Sequence, residues 1–203
     1  AMDGGRGSAD AQAQAVARLR ARLEADERCK AQLAHAGGPA RVAASLQAHA
    51  ASPALLGDGF RVLATLGVHS AATAQEIAKA GMIPWVCAAI SAHPGVLEVQ
   101  EGGCALVRSL AVHPEQRPAL AAAHAPAVLV GAMESCLRSE ALQVEALAAL
   151  RLLFAHFPVP ALDAPGGGSL AVLRTVLLEH GASEEVLREG CALLERLAQS
   201  PLH

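Results

Sequence analysis

Aromatic residues are almost missing: no tyrosine, one tryptophan and three phenylalanines in 203 residues. Binding of single-stranded nucleic acid by base stacking needs such platforms. A cationic footprint is missing too, since the formal net charge is −3 and the densest basic run is Arg18, Arg20 and Arg22. Together these absences exclude nucleic acid as a partner. No apolar run approaches the ~18 residues that cross a bilayer, because Arg, Glu or His interrupts each one, and membrane is excluded likewise.

Chemical motifs are equally scarce. The five cysteines, Cys29, Cys87, Cys104, Cys136 and Cys191, form no C-x-x-C pair and are odd in number. With no secretory signal, they read as reduced, mostly buried thiols of a cytoplasmic protein. No phosphate loop of the G-x-x-x-x-G-K-[ST] type occurs, and the PGGGS run of Pro165–Ser169 lacks the lysine. There is no H-E-x-x-H and no serine–histidine–acid set; Glu98, Glu101, Glu184 and Glu185 read as solvent-facing carboxylates without a fixed partner. The sequence therefore predicts no enzyme, no metal and no cofactor. A Cys/His-dependent enzyme is the remote alternative, and it requires an exposed thiol of lowered pKa beside a histidine.

What the chain does have is alanine and leucine, and hydrophobic residues make up 53% of it. These residues lose little side-chain freedom in a helix, so an all-α fold is expected. The same pattern also returns along the chain. Leu23, Leu66, Leu110, Leu153 and Leu197 recur at intervals of 43, 44, 43 and 44 residues; Leu46, Ile90, Met133 and Leu177 recur at 44, 43 and 44. A shorter series is Leu33, Ile77 and Leu120. Gly59, Gly103, Ala146 and Gly190 form a small-residue column, read as notches that let helices approach.

Within a copy the spacing is helical: Val99, Gly103, Leu106 and Leu110 share one helix face. A middle helix precedes them from Pro84 to Ala92, and a short one from Ala72 to Ala80. The predicted units are 26–69, 70–113, 114–156 and 157–200, after a capping long helix over 11–25. Residues 1–10 read as a flexible leader or cloning remnant. The Pro- and Gly-rich 157–170 reads as an irregular loop replacing the last short helix. A solenoid of stacked units follows, because one unit cannot bury its own apolar face.

The run VQEGGCALVRSLAVHPEQRPALAAAHAPAVLVGAM, from Val99, resembles an armadillo repeat, and EIAKAGMIPWVCAAI is similar to that family's exit into its middle helix. The resemblance covers residues 11–200 and implies a right-handed α-solenoid of about four three-helix repeats with an N-terminal cap. It also implies a protein- or peptide-binding inner surface on the long helices. The family's asparagine ladder maps to Arg22, Thr65, Ser109, Leu152 and Arg196, none of which is asparagine. A polar stripe of Gln100, Arg108, Ser109, Gln143, Arg151 and Arg196 is then the candidate protein-binding set, suited to an acidic or polar segment.

Histidines are patterned as well. His69, His113 and His156 follow the long-helix leucine column, while His49, His93 and His180, with Cys136, follow the middle-helix column. Neighbouring units lie ~8–10 Å apart, too far for one zinc at ~2 Å from each ligand. Capping of helix carbonyls is the reading. Cys104 and Cys191 share a column with Phe60 and Leu147, a core column, and Trp85 reads as packed between helices. The functional expectation is a non-catalytic scaffold or interaction module within a larger protein. A self-association or intramolecular docking domain of a larger regulatory protein, joined through the C-terminal end, is the alternative.

Overall fold

The computed structural model describes residues 3–155 and 168–199. Among these residues are twelve α-helices, one 3-10 turn and no strand. A long helix α1 (Asp3–Ala25) comes first. Three triplets of short, middle and long helices follow. They are α2 (Glu27–His35), α3 (Gly38–Ala48) and α4 (Pro53–Gly67); then α5 (Ala71–Lys79), α6 (Met82–Ala92) and α7 (Leu97–Ala111). The third is a 3-10 turn (Pro114–Gln116) running into α8 (Arg117–Ala122), then α9 (Ala125–Ser135) and α10 (Glu140–Phe154). A middle helix α11 (Gly168–Glu179) and a long helix α12 (Glu184–Gln199) complete the array.

Two expectations change. Residues 3–10, read as a leader, continue α1, since a helix once nucleated adds residues at little cost. The irregular 157–170 loop falls largely outside the described residues, as does His156, and its last residues, 168–170, begin α11.

Local chemistry sets the boundaries. Asp26, Ser70 and Ser139 accept from the N–H groups of Arg28, Thr73 and Leu142 and so start α2, α5 and α10. Pro53 opens α4, where its missing N–H costs nothing. Each short helix turns into its middle helix through one left-handed residue: Gly37 (φ 68°), Gly81 (φ 75°) and His124 (φ 55°). That conformation costs an L-residue about 1–2 kcal/mol, so the third unit carries strain at His124 that the other two avoid.

The small-residue column does what its pattern predicted. A Cβ built on Gly59 would strike the Leu46 side chain; on Gly103 it would lie 2.5 Å from Ile90 Cγ1, and on Gly190 2.5 Å from Leu177 Cδ2. The second leucine series is thus the set of knobs, and the glycine column the set of notches. A separate pair governs the joint between neighbouring long helices α4 and α7. There a Cβ on Gly102 would sit 2.5 Å from Gly57 O, and one on Gly57 2.7 Å from Glu98 O. These are backbone atoms and cannot swing aside. Gly131 on α9 has nothing within 4 Å of a Cβ.

Gly102→Ala should lower stability by about 1–3 kcal/mol through overpacking, whereas Gly131→Ala should raise it by about 0.5–1 kcal/mol by improving a helix interior. Urea denaturation of the two variants beside the parent checks the opposite signs.

Candidate binding surface

Stacking the long helices side by side leaves one stripe of each uncovered. On α4 it runs through Asp58, Arg61, Thr65 and Val68; on α7 through Glu101, Ala105, Arg108 and Val112; on α10 through Glu145, Arg151, Leu152 and Ala155, all of them half-buried. Consecutive long helices are linked across this surface by ion pairs. Arg20 meets Asp58 at 3.1 Å, Arg61 meets Glu101, Arg108 meets Glu145, and Arg151 Nε meets Glu189 at 2.8 Å. Each arginine reaches to the carboxylate of the following long helix. Pairs this exposed contribute up to about 1 kcal/mol apiece, and they leave the surface nearly neutral.

The predicted polar stripe divides under this geometry. Arg108 and Arg151 lie on the surface, engaged to Glu145 and Glu189, and Arg196 is exposed on α12. Ser109 is buried at 1% exposure, with its hydroxyl donated to Leu106 O at 3.2 Å. One residue turns a helix by 100°, so on α7 the ladder position faces inward and Arg108, one residue earlier, faces out, whereas its repeat mates Thr65 and Leu152 lie half-buried on the surface and Arg196 is exposed. Asparagine is absent from the whole chain.

Gln100 and Gln143 are also buried, at 1% and 0% exposure, and cannot touch a partner. Gln100 Nε2 donates to Ile90 O at 2.7 Å and His93 O at 2.8 Å; Gln143 Nε2 donates to Met133 O at 3.0 Å and Cys136 O at 3.2 Å. Each fastens the end of a middle helix to the start of the long helix after it, supplying a donor to Met133 O and a second donor to Ile90 O, His93 O and Cys136 O, which also accept the N–H groups of His93, Val96 and Ser139. Arg117, which the sequence reading passed over, does the same for α7: it is buried and donates to Ala111 O at 2.8 Å and Val112 O at 3.3 Å. Glu101, read as solvent-facing, is half-buried and accepts from Arg61 and from Ser139 Oγ at 2.6 Å.

Two of the patterned histidines meet carbonyls, though of the preceding unit rather than their own helix. His113 Nε2 lies 2.8 Å from Gly67 O, and His180 Nε2 lies 2.7 Å from Leu137 O. Cys136 makes the matching, weaker contact to Pro94 O at 3.9 Å. No group of three or more His, Cys, Asp or Glu side chains among the described residues is arranged to hold a metal. None of the described helices is long and apolar enough to cross a membrane.

Three of the five thiols are held in their protonated form. Burial pushes Cys87 up to about 11. It raises Cys104 well above the ordinary thiol range, with the Glu145 charge adding to the effect. Burial and Glu101 raise Cys136. Cys191 departs from its predicted core column and is exposed. In the earlier units that column faces the next middle helix, as Phe60 meets the Trp85 ring edge-on at 5.7 Å, and no described helix follows α12. Trp85, half-buried against Phe60, is packed between helices.

No family model and no curated protein matches this chain. Solved structures do match in fold. An engineered protein superposes with a TM-score of 0.73 at 20% identity, covering 94% of this chain and 76% of its own. A designed armadillo repeat protein in complex with the peptide (KR)4 superposes with a TM-score of 0.71 at 18% identity, covering 93% and 75%. The fold is therefore an armadillo-type α-solenoid.

Gln143→Leu should cost about 1–3 kcal/mol, since buried Met133 O loses the Gln143 amide and Cys136 O is left with the Ser139 N–H alone; a urea melt reads this directly. For the thiols, folded protein should alkylate at Cys191 while Cys87 and Cys104 stay protected until unfolding, as mass spectrometry of labelled peptides will show. Cys87 holds its proton to a higher pH folded than unfolded, so its contribution to stability is present below pH 9 and falls as pH rises from 9 towards 11.

Proposed function

We propose that this chain is a non-catalytic protein-interaction module. Its binding surface is the uncovered stripe of α4, α7 and α10. The observation that carries this reading is the continuous surface itself: half-buried Ala105, Val112, Leu152 and Ala155 flanked by ion-paired Arg108 and Arg151. A rigid stack presents these residues already ordered, so little entropy is lost on binding. The (KR)4 complex of the designed armadillo neighbour supports a peptide or protein as the partner class. The raised pKa values of Cys87, Cys104 and Cys136 support a scaffold over an enzyme. Unpaired cysteines, with Cys87 and Cys104 buried, support a reducing compartment such as the cytoplasm.

A partner with an acidic or polar segment would engage Arg108 and Arg151 in exchange for Glu145 and Glu189. A second reading, self-association through the C-terminal end, is favoured by the exposed Leu178 (75%) and Leu194 (39%).

Charge reversal separates binding from folding. Arg108→Glu/Arg151→Glu breaks two ion pairs, and adding Glu145→Arg/Glu189→Arg restores them with opposite polarity. Affinity capture should lose the same partners with both variants, while thermal melts show the fourfold variant near the parent in stability. Recovery of partners with the fourfold variant would reduce the ladder to a folding device and reject this surface. For the second reading, Leu178→Asp/Leu194→Asp should abolish any dimer seen by sedimentation velocity.

A further inference from the structure

A groove of about 470 Å³ opens at the first end of the array, between α1 and α3. Val16, Leu19, Leu33 and Val42 give it apolar walls. The repeat identifies what this space is, because later units show which surfaces hold a middle helix. The notch at Gly59 receives Leu46 of α3, while Ala80 O and Met82 Sδ accept Gln47 Nε2 of the same helix at 3.1 and 3.8 Å. One unit earlier the mates of Gly59, Ala80 and Met82 are Val16, Ala36 and Gly38, and all three line the groove. His49 lines it too, in the register from which His180 and Cys136 touch backbone oxygens just past the preceding middle helix. The groove is therefore the seat of a middle helix, and no described helix fills it.

Its lining differs from that of an ordinary repeat. Where α4 carries the buried Leu55, α1 carries Gln12, whose Oε1 accepts from Ser45 Oγ at 3.3 Å. Val16 fills the notch that is glycine or alanine in every later unit. Arg41 stands where the next unit has Trp85; it is exposed, with no ion-pair partner among the described residues. Among the residues lining the groove there is no carboxylate. A helix seated here cannot bring a leucine to the notch, and it meets an uncompensated cation.

We propose that this seat receives one amphipathic helix of a partner protein, with alanine at the notch and a carboxylate beside Arg41. Removal of the apolar walls from water drives the docking, and the ion pair selects the partner. Every described middle helix of this chain carries a larger residue in the notch register, Leu46, Ile90, Met133 or Leu177, so a second copy offers no helix that fits. The register of the carboxylate follows from Gln47. Its mate in an incoming helix faces Ala36 and Gly38, and Arg41 lies one turn beyond Gly38 on the same side of α3. The seat shares no residue with the long-helix stripe, so the two readings stand or fall separately.

The probe is a fluorescein-labelled peptide copying residues 125–135 with Met133→Ala, which carries Glu134 in the register of Gln47. It is stapled through positions 128 and 132, on the side that faces α6 in the array. Fluorescence anisotropy should rise to saturation as the intact chain is added. Arg41→Glu should weaken binding about fivefold, the worth of one exposed ion pair, and Glu134→Arg in the peptide should recover it. A peptide with Met133→Leu instead should bind the parent about tenfold more weakly through overpacking, and Val16→Gly should reverse that preference. Arg108→Glu/Arg151→Glu should leave the affinity unchanged. No saturable rise, or an affinity indifferent to both Arg41→Glu and residue 133, would overturn the proposal. A dimer in sedimentation velocity that the peptide dissociates would give the seat to a second copy and overturn it likewise.

Discussion

Each long helix gives up a side chain so that a middle helix can lean into it. Leu46, Ile90 and Leu177 occupy the spaces vacated at Gly59, Gly103 and Gly190. Where the notch is the shallower Ala146, the facing column residue is Met133, an unbranched chain that adapts to an irregular gap. Other contacts follow from this close approach. It brings the end of α6 within reach of Gln100 and the end of α9 within reach of Gln143, so that carbonyls at the end of one helix accept from a side chain of the next. Without the notches the middle helices would stand farther off, and those amides would be buried without partners.

The second tier of organisation joins unit to unit. Arginines of each long helix reach forward to the carboxylates of the next, while His113 and His180 reach back to carbonyls of the unit before. Links in both directions fix the stagger as well as the spacing, because a slip along the helix axis would break one set or the other. The same economy shapes the binding surface. Charges needed to register the stack are consumed by it, and what is left facing outward is mostly small or aliphatic. The designed neighbour in complex with (KR)4 shares the fold at 18% identity, and fold alone carries no groove chemistry from one chain to the other.

The architecture was legible because a solenoid writes its core several times. Three columns at one period located every described long and middle helix, and the Gly/Ala column located the notches. The surface was less legible, for two physical reasons. Polar residue type does not say whether a side chain faces water or closes a helix end: Gln100 and Gln143 read as an outward stripe and are structural fasteners, and Arg117 hides a buried cap inside an ordinary short helix. Rotation about a helix is also unforgiving. Ser109 and Arg108 differ by one residue, and that step moves a position from exposed stripe to core. The Cys191 column failed for another reason, since its burial depends on the neighbour that follows.

Gly57 and Gly102 bring the backbones of α4 and α7 together with no side chain between them. Among the described glycines no other pair sets one long-helix backbone against another, and a joint that rests on side chains can adjust among rotamers. A joint made of backbone against backbone has no such compliance. Considered as a spring, the solenoid has one stiff coil near its middle, and thermal bending is pushed to either side of it. A partner lying along the whole surface would find the α4–α7 section at a fixed pitch, and the flanking turns would do the adjusting.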